Sequence, residues 1–202
     1  MKVLILFLSV ATLQLNAQNT LFLHNHTVFS DFGLLEEEIA DYKSEGSLSI
    51  FNKKKHNSKI AHELFNLRVG RSIKLNRKKL TVLKKVNVEH YRLNYIFFDG
   101  SKLEYENIEK QRDKILEMIE TYGFPTLAKM YSMDMSKNVG GDSGWFKKRS
   151  VPQGFQDAAL SNRRVANEVF KVDLISENWH YLISKTYSSL FIEEILVLET
   201  PL

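Results

Sequence analysis

Three of the chain's nine glycines, Gly140, Gly141 and Gly144, bracket Asp142 and Ser143 in the run GGDSG. Residues of these types at this spacing offer three kinds of chemistry. A serine on a tight turn becomes a nucleophile when a histidine base lies within hydrogen-bond reach and an acid orients that base. His62 and Asp99, both upstream, supply those residue types. A phosphate cradle needs glycines followed by Lys and Ser or Thr at a helix start, so that backbone N–H groups face the anion; here Trp145, Phe146, Lys147 and Lys148 follow without a helix onset. In the third case adjacent glycines take positive φ and reverse the chain sharply, while Asp142 holds the turn through local N–H groups. Ser143 is then structural, or lines a pocket.

Other groups that could do chemistry are sparse. There is no cysteine among the 202 residues, which removes disulfides, thiolate metal ligands and thiol nucleophiles. His24 and His26 could ligate a metal, but two ligands without a nearby acid or cysteine read as a solvated turn. No metal and no cofactor is implied. His180 stands in an otherwise apolar stretch, where a histidine is a core residue unless something else gives it work. The basic run Arg68 to Lys85 alternates with Ile73, Leu75, Leu80, Val82 and Leu83, the pattern of a hairpin with one wet face, although it could also touch anionic lipid or an acidic client.

The elements that must position these residues belong to a globular chain, with 44% hydrophobic and 26% charged residues. GLLEEEIADYKSEG reads as a short acidic helix, and NKKKHNSKIAHELFNLRVGR as a basic loop running into a second one. Residues 72 to 98 are β-branched, aromatic and alternating, and give two or three strands. The strongest is YRLNYIFF, residues 91 to 98, ended by the turn signal at Asp99 to Ser101. From Glu104 the period becomes helical, with Ile108, Ile115, Met118, Ile119 and Tyr122 on one stripe and Gly123 at the C-terminal cap. FPTLAKMYS starts another helix just after Phe124, with Pro125 where its missing N–H costs nothing. After the glycine run come a helical patch, VPQGFQDAAL, and two strands, NEVFKVDLI and NWHYLISKT. The tail SSLFIEEILVLETPL continues a sheet or forms a short helix. This order is α+β, not a parallel sheet of strand-helix-strand units.

The first residues, MKVLILFLSVATLQLNAQ, place one Lys before an apolar run from Val3 to Leu13 and reach a small residue at Ala17. That is the layout of a secretory signal peptide over residues 1–17, too short to span a bilayer of about 30 Å. The expected location is secreted or periplasmic, with no transmembrane segment after signal removal. Its loss takes the formal charge from +4 to +3, too mild to argue for a nucleic-acid partner.

Read in context, FPTLAKMYSMDMSKNVGGDSGWFKKRSVPQGFQDAAL resembles the central signature of the parvulin family of peptidyl-prolyl cis-trans isomerases: a helix ending in LA..YS.D, a link, GGD.GWF, a basic turn, then F..AA. Downstream, NEVFKVDLISENWHYLI is similar to the closing part of that domain, and YRLNYIFF occupies the place of its first strand. The resemblance covers residues 88 to 187. The context GDSG is also the one in which chymotrypsin-like proteases hold their serine, but that fold is a pair of β-barrels, whereas His62 and residues 104 to 132 read as helical.

The resemblance implies a four-stranded, mainly antiparallel sheet surrounded by helices over residues 88–202, preceded by a region of uncertain fold over 18–87. It implies a non-covalent isomerase acting on unfolded or extended proline-containing polypeptides, here of exported proteins, with a chaperone role beside it. A catalytically weak or inactive chaperone or assembly factor is the alternative, and a serine hydrolase using Ser143 the remote one. By the resemblance Phe155 and Val151 floor the proline pocket, and Ser143 falls where a further apolar residue is usual. His180 matches the second of two central histidines, Tyr95 stands where the first would be, and Asp134 matches a polar or thiol position beside them, so that the three would form one network. Asn178 and Ile175 replace a usual glycine and a usual threonine.

Overall fold

A computed structural model describes residues 29–161 and 163–202. The expected signal peptide, His24 and His26 lie outside the described residues. Two compact units are built from interleaved stretches of chain. The first comprises Asn94–Ser143 and Val169–Ser184, the second 29–93, Gly144–Glu168 and Lys185–Leu202.

In the first unit, strands β4 (Asn94–Asp99), β6 (Val169–Leu174) and β7 (Trp179–Ser184) form an antiparallel sheet in the order β4-β7-β6. Side chains alternate across a strand and directly opposed residues share a face. Tyr95, Phe97, Tyr181 and Trp179 therefore occupy one face, and Ile96, Phe98, His180, Leu182 and Asp173 the other. The second face is covered by α3 (Tyr105–Tyr122) and α4 (Phe124–Tyr131), whose Ile108, Ile115, Phe124, Leu127 and Ala128 close a core over Ile96, Phe98 and Leu182. Gly123, with φ of 73°, ends α3 and starts α4, so the helical stripe and its glycine cap fall where the sequence puts them.

The open edge of β4 is taken by the chain after α4. Met133 N–H donates to the Phe97 carbonyl and the Phe97 N–H to Ser132 Oγ. Farther along, Tyr95 N–H donates to the Gly141 carbonyl, and Asn94 bridges Asp142. The glycine run thus occupies a fourth edge position beside the three strands. Gly141, at φ of 78°, is what allows it: a Cβ there would lie 2.4 Å from the Tyr95 carbonyl oxygen and 2.9 Å from the Ala128 methyl. Only a residue without a side chain admits so close a backbone approach.

In the second unit, β1 (Ser47–Asn52), β2 (Ser72–Leu75), β3 (Lys78–Tyr91) and β8 (Leu190–Pro201) form an antiparallel sheet in the order β1-β8-β3-β2, and the two-residue β5 (Phe146–Lys147) pairs with the end of β3. Helix α2 (Lys59–Asn66), capped by Ser58, packs Ala61, Leu64 and Phe65 on Leu80, Val82, Ile195 and Val197. A 3-10 turn, Phe29–Phe32, and α1 (Glu36–Glu45) bring Phe32, Leu34 and Ile39 to Leu196, Leu48 and Val86. Helix α5 (Gln153–Ala159) belongs to this unit.

Three features differ from the sequence reading. The run 91–98 is not one strand: β3 ends at Tyr91 and β4 begins at Asn94, because the two halves pair in different sheets. Strand β1 is not expected from the sequence, because its SLSIFN alternates over only four residues before Phe51 breaks the pattern. The tail, for which the sequence allows strand or helix, is strand β8, paired with β3 along its length and with β1 over Glu194–Glu199.

Candidate functional site

Tyr95 sits on the aromatic face of the first unit's sheet, fully buried, with the ring of Tyr181 at 5.9 Å centroid distance. Its hydroxyl donates to Asp134 Oδ2 at 2.9 Å. Asp134 precedes a 3-10 turn, Met135–Val139, and caps it: Oδ1 accepts from the Ser136 N–H at 3.0 Å, from Ser132 Oγ at 3.0 Å and from Ser136 Oγ. The carboxylate is thus saturated with donors while almost closed to solvent. Burial, then the negative charge of Asp134 and its hydrogen bond, push the Tyr95 hydroxyl well above the usual phenol range, so Tyr95 is a neutral donor at every physiological pH. Burial raises Tyr181 in the same way.

His180 is held elsewhere, which corrects the expectation of a single network. The register sets His180 opposite Phe98 and Tyr95 opposite Ile183, so the two side chains leave the sheet on opposite faces. His180 is also buried, and its Nδ1 donates to Asp173 Oδ1 at 2.7 Å, with Nε2 3.3 Å from Asn178 Oδ1 and the Tyr105 ring 5.2 Å away. Asp173 in turn receives Arg112 Nη1 at 2.8 Å from α3, and the fully buried guanidinium also donates to the Tyr181 carbonyl and to Glu109. Burial alone would raise the Asp173 carboxyl, but the hydrogen bonds and charges of Arg112 and His180 outweigh it and hold the group below the usual carboxylate range. Asp173 and Arg112 are the residues that sequence reasoning missed. Their signal was a cation within the buried stripe of a helix, between Ile108 and Ile115, where only a paired charge is tolerated.

Asn178 adopts φ of 55°, a conformation that glycine favours and asparagine tolerates better than most. The replacement of a usual glycine therefore keeps the turn. Ile175, the other departure, is 75% exposed and carries no polar group to the His180 ring. Ser143 lies in the first unit and is half-buried. Asp99, the acid required by a triad reading, spends its carboxylate on the Ser101 N–H, the Ser101 hydroxyl and Lys102. Among the described residues it orients no histidine. In the second unit, Phe155 on α5 is fully buried and Val151 nearly so. Among the described residues no group of three His, Cys, Asp or Glu side chains is placed to hold a metal ion, and no helix is long and apolar enough to cross a membrane.

Residues 71–182, more than half of the chain, match the profile of the PPIC-type PPIase domain. The chain is similar to the crystal structure of PrsA from Bacillus subtilis at 30% identity, covering 49% of this chain and 35% of that one, with a TM-score of 0.37. It is similar to a crystal structure of a PpiC-type peptidyl-prolyl cis-trans isomerase domain at 23% identity, covering 50% and 95%, with a TM-score of 0.40. It also resembles the solution structure of the parvulin domain of PpiD from E. coli at 19% identity, covering 50% and 90%, with a TM-score of 0.38. The chain thus spans about a third of the length of the B. subtilis protein. No curated protein matches.

Proposed function

Because the chain belongs to the PPIC-type peptidyl-prolyl cis-trans isomerase family, we propose that it accelerates cis-trans isomerisation at proline-containing segments of exported proteins. Unaided rotation about an X-Pro bond faces a barrier of about 18–20 kcal/mol and needs no covalent step. A protein lowers it by favouring the twisted amide over the planar one with fixed dipoles, while an apolar surface holds the proline ring. The observation that carries this reading is the Tyr95–Asp134 pair: a phenol held neutral, oriented by a saturated carboxylate, inside the family match. Asp134 polarises the hydroxyl, and Tyr95 supplies the dipole. By the resemblance, Phe155 and Val151 are the apolar groups assigned to the proline ring, and Ser143 is a further pocket position. His180, tied to Asp173 and Arg112, is a positioning residue that fixes β7 against α3. The apolar run at residues 3–13 supports export.

The test is a proline-limited refolding assay with the chain, Tyr95→Phe and Phe155→Met. Removing the hydroxyl is expected to lower the catalysed rate about tenfold, the equivalent of about 1.4 kcal/mol. Unchanged catalysis in Tyr95→Phe would remove that residue from the mechanism, and no acceleration by the wild-type chain would remove the enzymatic reading.

A second reading is favoured by one observation. Tyr95 is fully buried and His180 is 2% exposed, and both have their polar atoms engaged within the unit. A chain that keeps this fold as a folding helper or assembly factor, without turnover, fits that closure. It predicts suppression of client aggregation that survives Tyr95→Phe.

A further inference from the structure

We propose that the open edge of β2 is a second polypeptide-binding site, one that takes an extended, acidic segment as an added strand. The site lies wholly in the second unit and does not depend on the isomerase reading.

Two independent observations meet there. The first is a ladder with no strand on its outer side among the described residues. Strand β2 lies at the end of the sheet order, with β3 as its one partner among the described residues. Asn76 and Arg77, with φ of 47° and 62°, make the two-residue turn of a tight hairpin, so Leu75 and Lys78 are its first hydrogen-bonded pair. Pairs then alternate between bonded and non-bonded. Ile73 is in the bonded class, as is Arg71, whose carbonyl accepts from the Val82 N–H at 3.0 Å. The N–H and C=O groups of Ser72 and Lys74 therefore point away from β3, toward the edge.

The second observation is charge. Arg68, Arg71, Lys74, Arg77 and Lys79 are exposed and have no acidic partner among the described residues, whereas Lys78 next to them pairs with Glu199 at 3.0 Å. Lys74 and Lys79 stand directly opposite each other, an arrangement that costs stability unless an anion lies between them or across them. The inner face of the hairpin is committed, since Ile73, Leu75, Leu80 and Val82 pack with α2. What remains is a strand edge with outward amide groups and a cationic rim. Lysines on an edge turn away neutral and basic strands. A segment carrying carboxylates at alternate positions satisfies both features at once, through main-chain bonds for affinity and side-chain pairs for selection. The expected bound form is four to six residues of extended chain laid along Ser72–Leu75, about the length of one short strand.

The experiment uses the chain with two labelled ten-residue probes, one alternating Thr with Glu and one alternating Thr with Lys, read by anisotropy and by amide hydrogen exchange. Two substitutions at one position separate the observations. Lys74→Gln removes the charge, and Lys74→Pro removes the charge and the outward N–H while leaving the β3 ladder intact. Both variants are checked for unchanged thermal unfolding. The acidic probe is expected to bind and to slow exchange at Ser72 and Lys74 but not at Ile73 and Leu75. Lys74→Gln should weaken it about threefold and Lys74→Pro about tenfold or more. Equal loss in the two variants, or equal binding of the basic probe, would overturn strand addition. Anionic phosphatidylserine vesicles form the other arm: if they bind with equal strength to both variants and displace the acidic probe, the patch serves a membrane surface and the proposal fails.

Discussion

At the scale of single residues, the first unit holds two buried polar clusters on opposite faces of one sheet, and their chemistry differs. Tyr95 and Asp134 make a neutral donor on a saturated acceptor. His180, Asp173 and Arg112 make a charged chain that stitches β7, β6 and α3 together. Removing one member of a buried ion pair leaves its partner uncompensated, which costs more than the pair itself contributes. Arg112→Met is therefore expected to destabilise the chain by about 2–3 kcal/mol in denaturant unfolding, discounted for the partial exposure of Asp173 and Glu109. An unchanged midpoint would show that the network is ornamental. The family spacing made Tyr95 and Asp134 legible as neighbours. It gave no sign of Asp173, because an acid on an alternating strand reads as a solvated residue until a cation on a packed helix is known to face it.

At the scale of elements, most of the helices and strands were legible because each carries its own local signal. Helix α3 shows the apolar stripe and Gly123 its end. What was not legible is pairing. Nothing between Tyr91 and Asn94 marks a break, and the assignment of β3 and β4 to separate sheets is decided by partners distant in sequence. The glycine run is the element where a sequence expectation and the geometry of the fold meet most closely. Gly141 and Gly144 both have positive φ, yet a Cβ at 141 would collide with the backbone of Tyr95 and one at 144 would meet open space. Gly144→Ala should then cost only left-handed strain, about 1 kcal/mol, and Gly141→Ala about 3 kcal/mol or more, since strain and collision add. Thermal unfolding of the two variants checks the difference. Equal costs would show that the loop is not seated on β4 as described.

At the scale of the whole molecule, stability is expected to fall in acid for a reason located in the second unit. Asn52, His90, Glu194 and Lys147 bury a polar cluster across β1, β3, β8 and β5, with Lys147 also reaching Asp31. Burial alone would raise the Glu194 carboxyl, but hydrogen bonds from His90, Lys147 and Asn52 and the Lys147 charge hold it down at about 2, against 4.5 when unfolded. A depressed folded-state value means that the unfolded chain binds the proton first. The contribution is full above about pH 4.5 and is lost as pH falls toward 2, amounting to about 3 kcal/mol at most. Asp173 and Glu109, also depressed, add in the same direction. In Glu194→Gln the acid slope of unfolding free energy should flatten over that window, and an unaltered slope would place the loss elsewhere.

The proposed turnover of prolyl bonds through the neutral phenol of Tyr95 is tested by NMR exchange between the cis and trans forms of a short Ala-Pro peptide, recorded with substoichiometric chain and again with Tyr95→Phe. Exchange cross-peaks are expected with the chain, weakening about tenfold with the variant while its fold is unchanged. Peptide that binds, with shifted resonances but exchange no faster than in buffer, would contradict it.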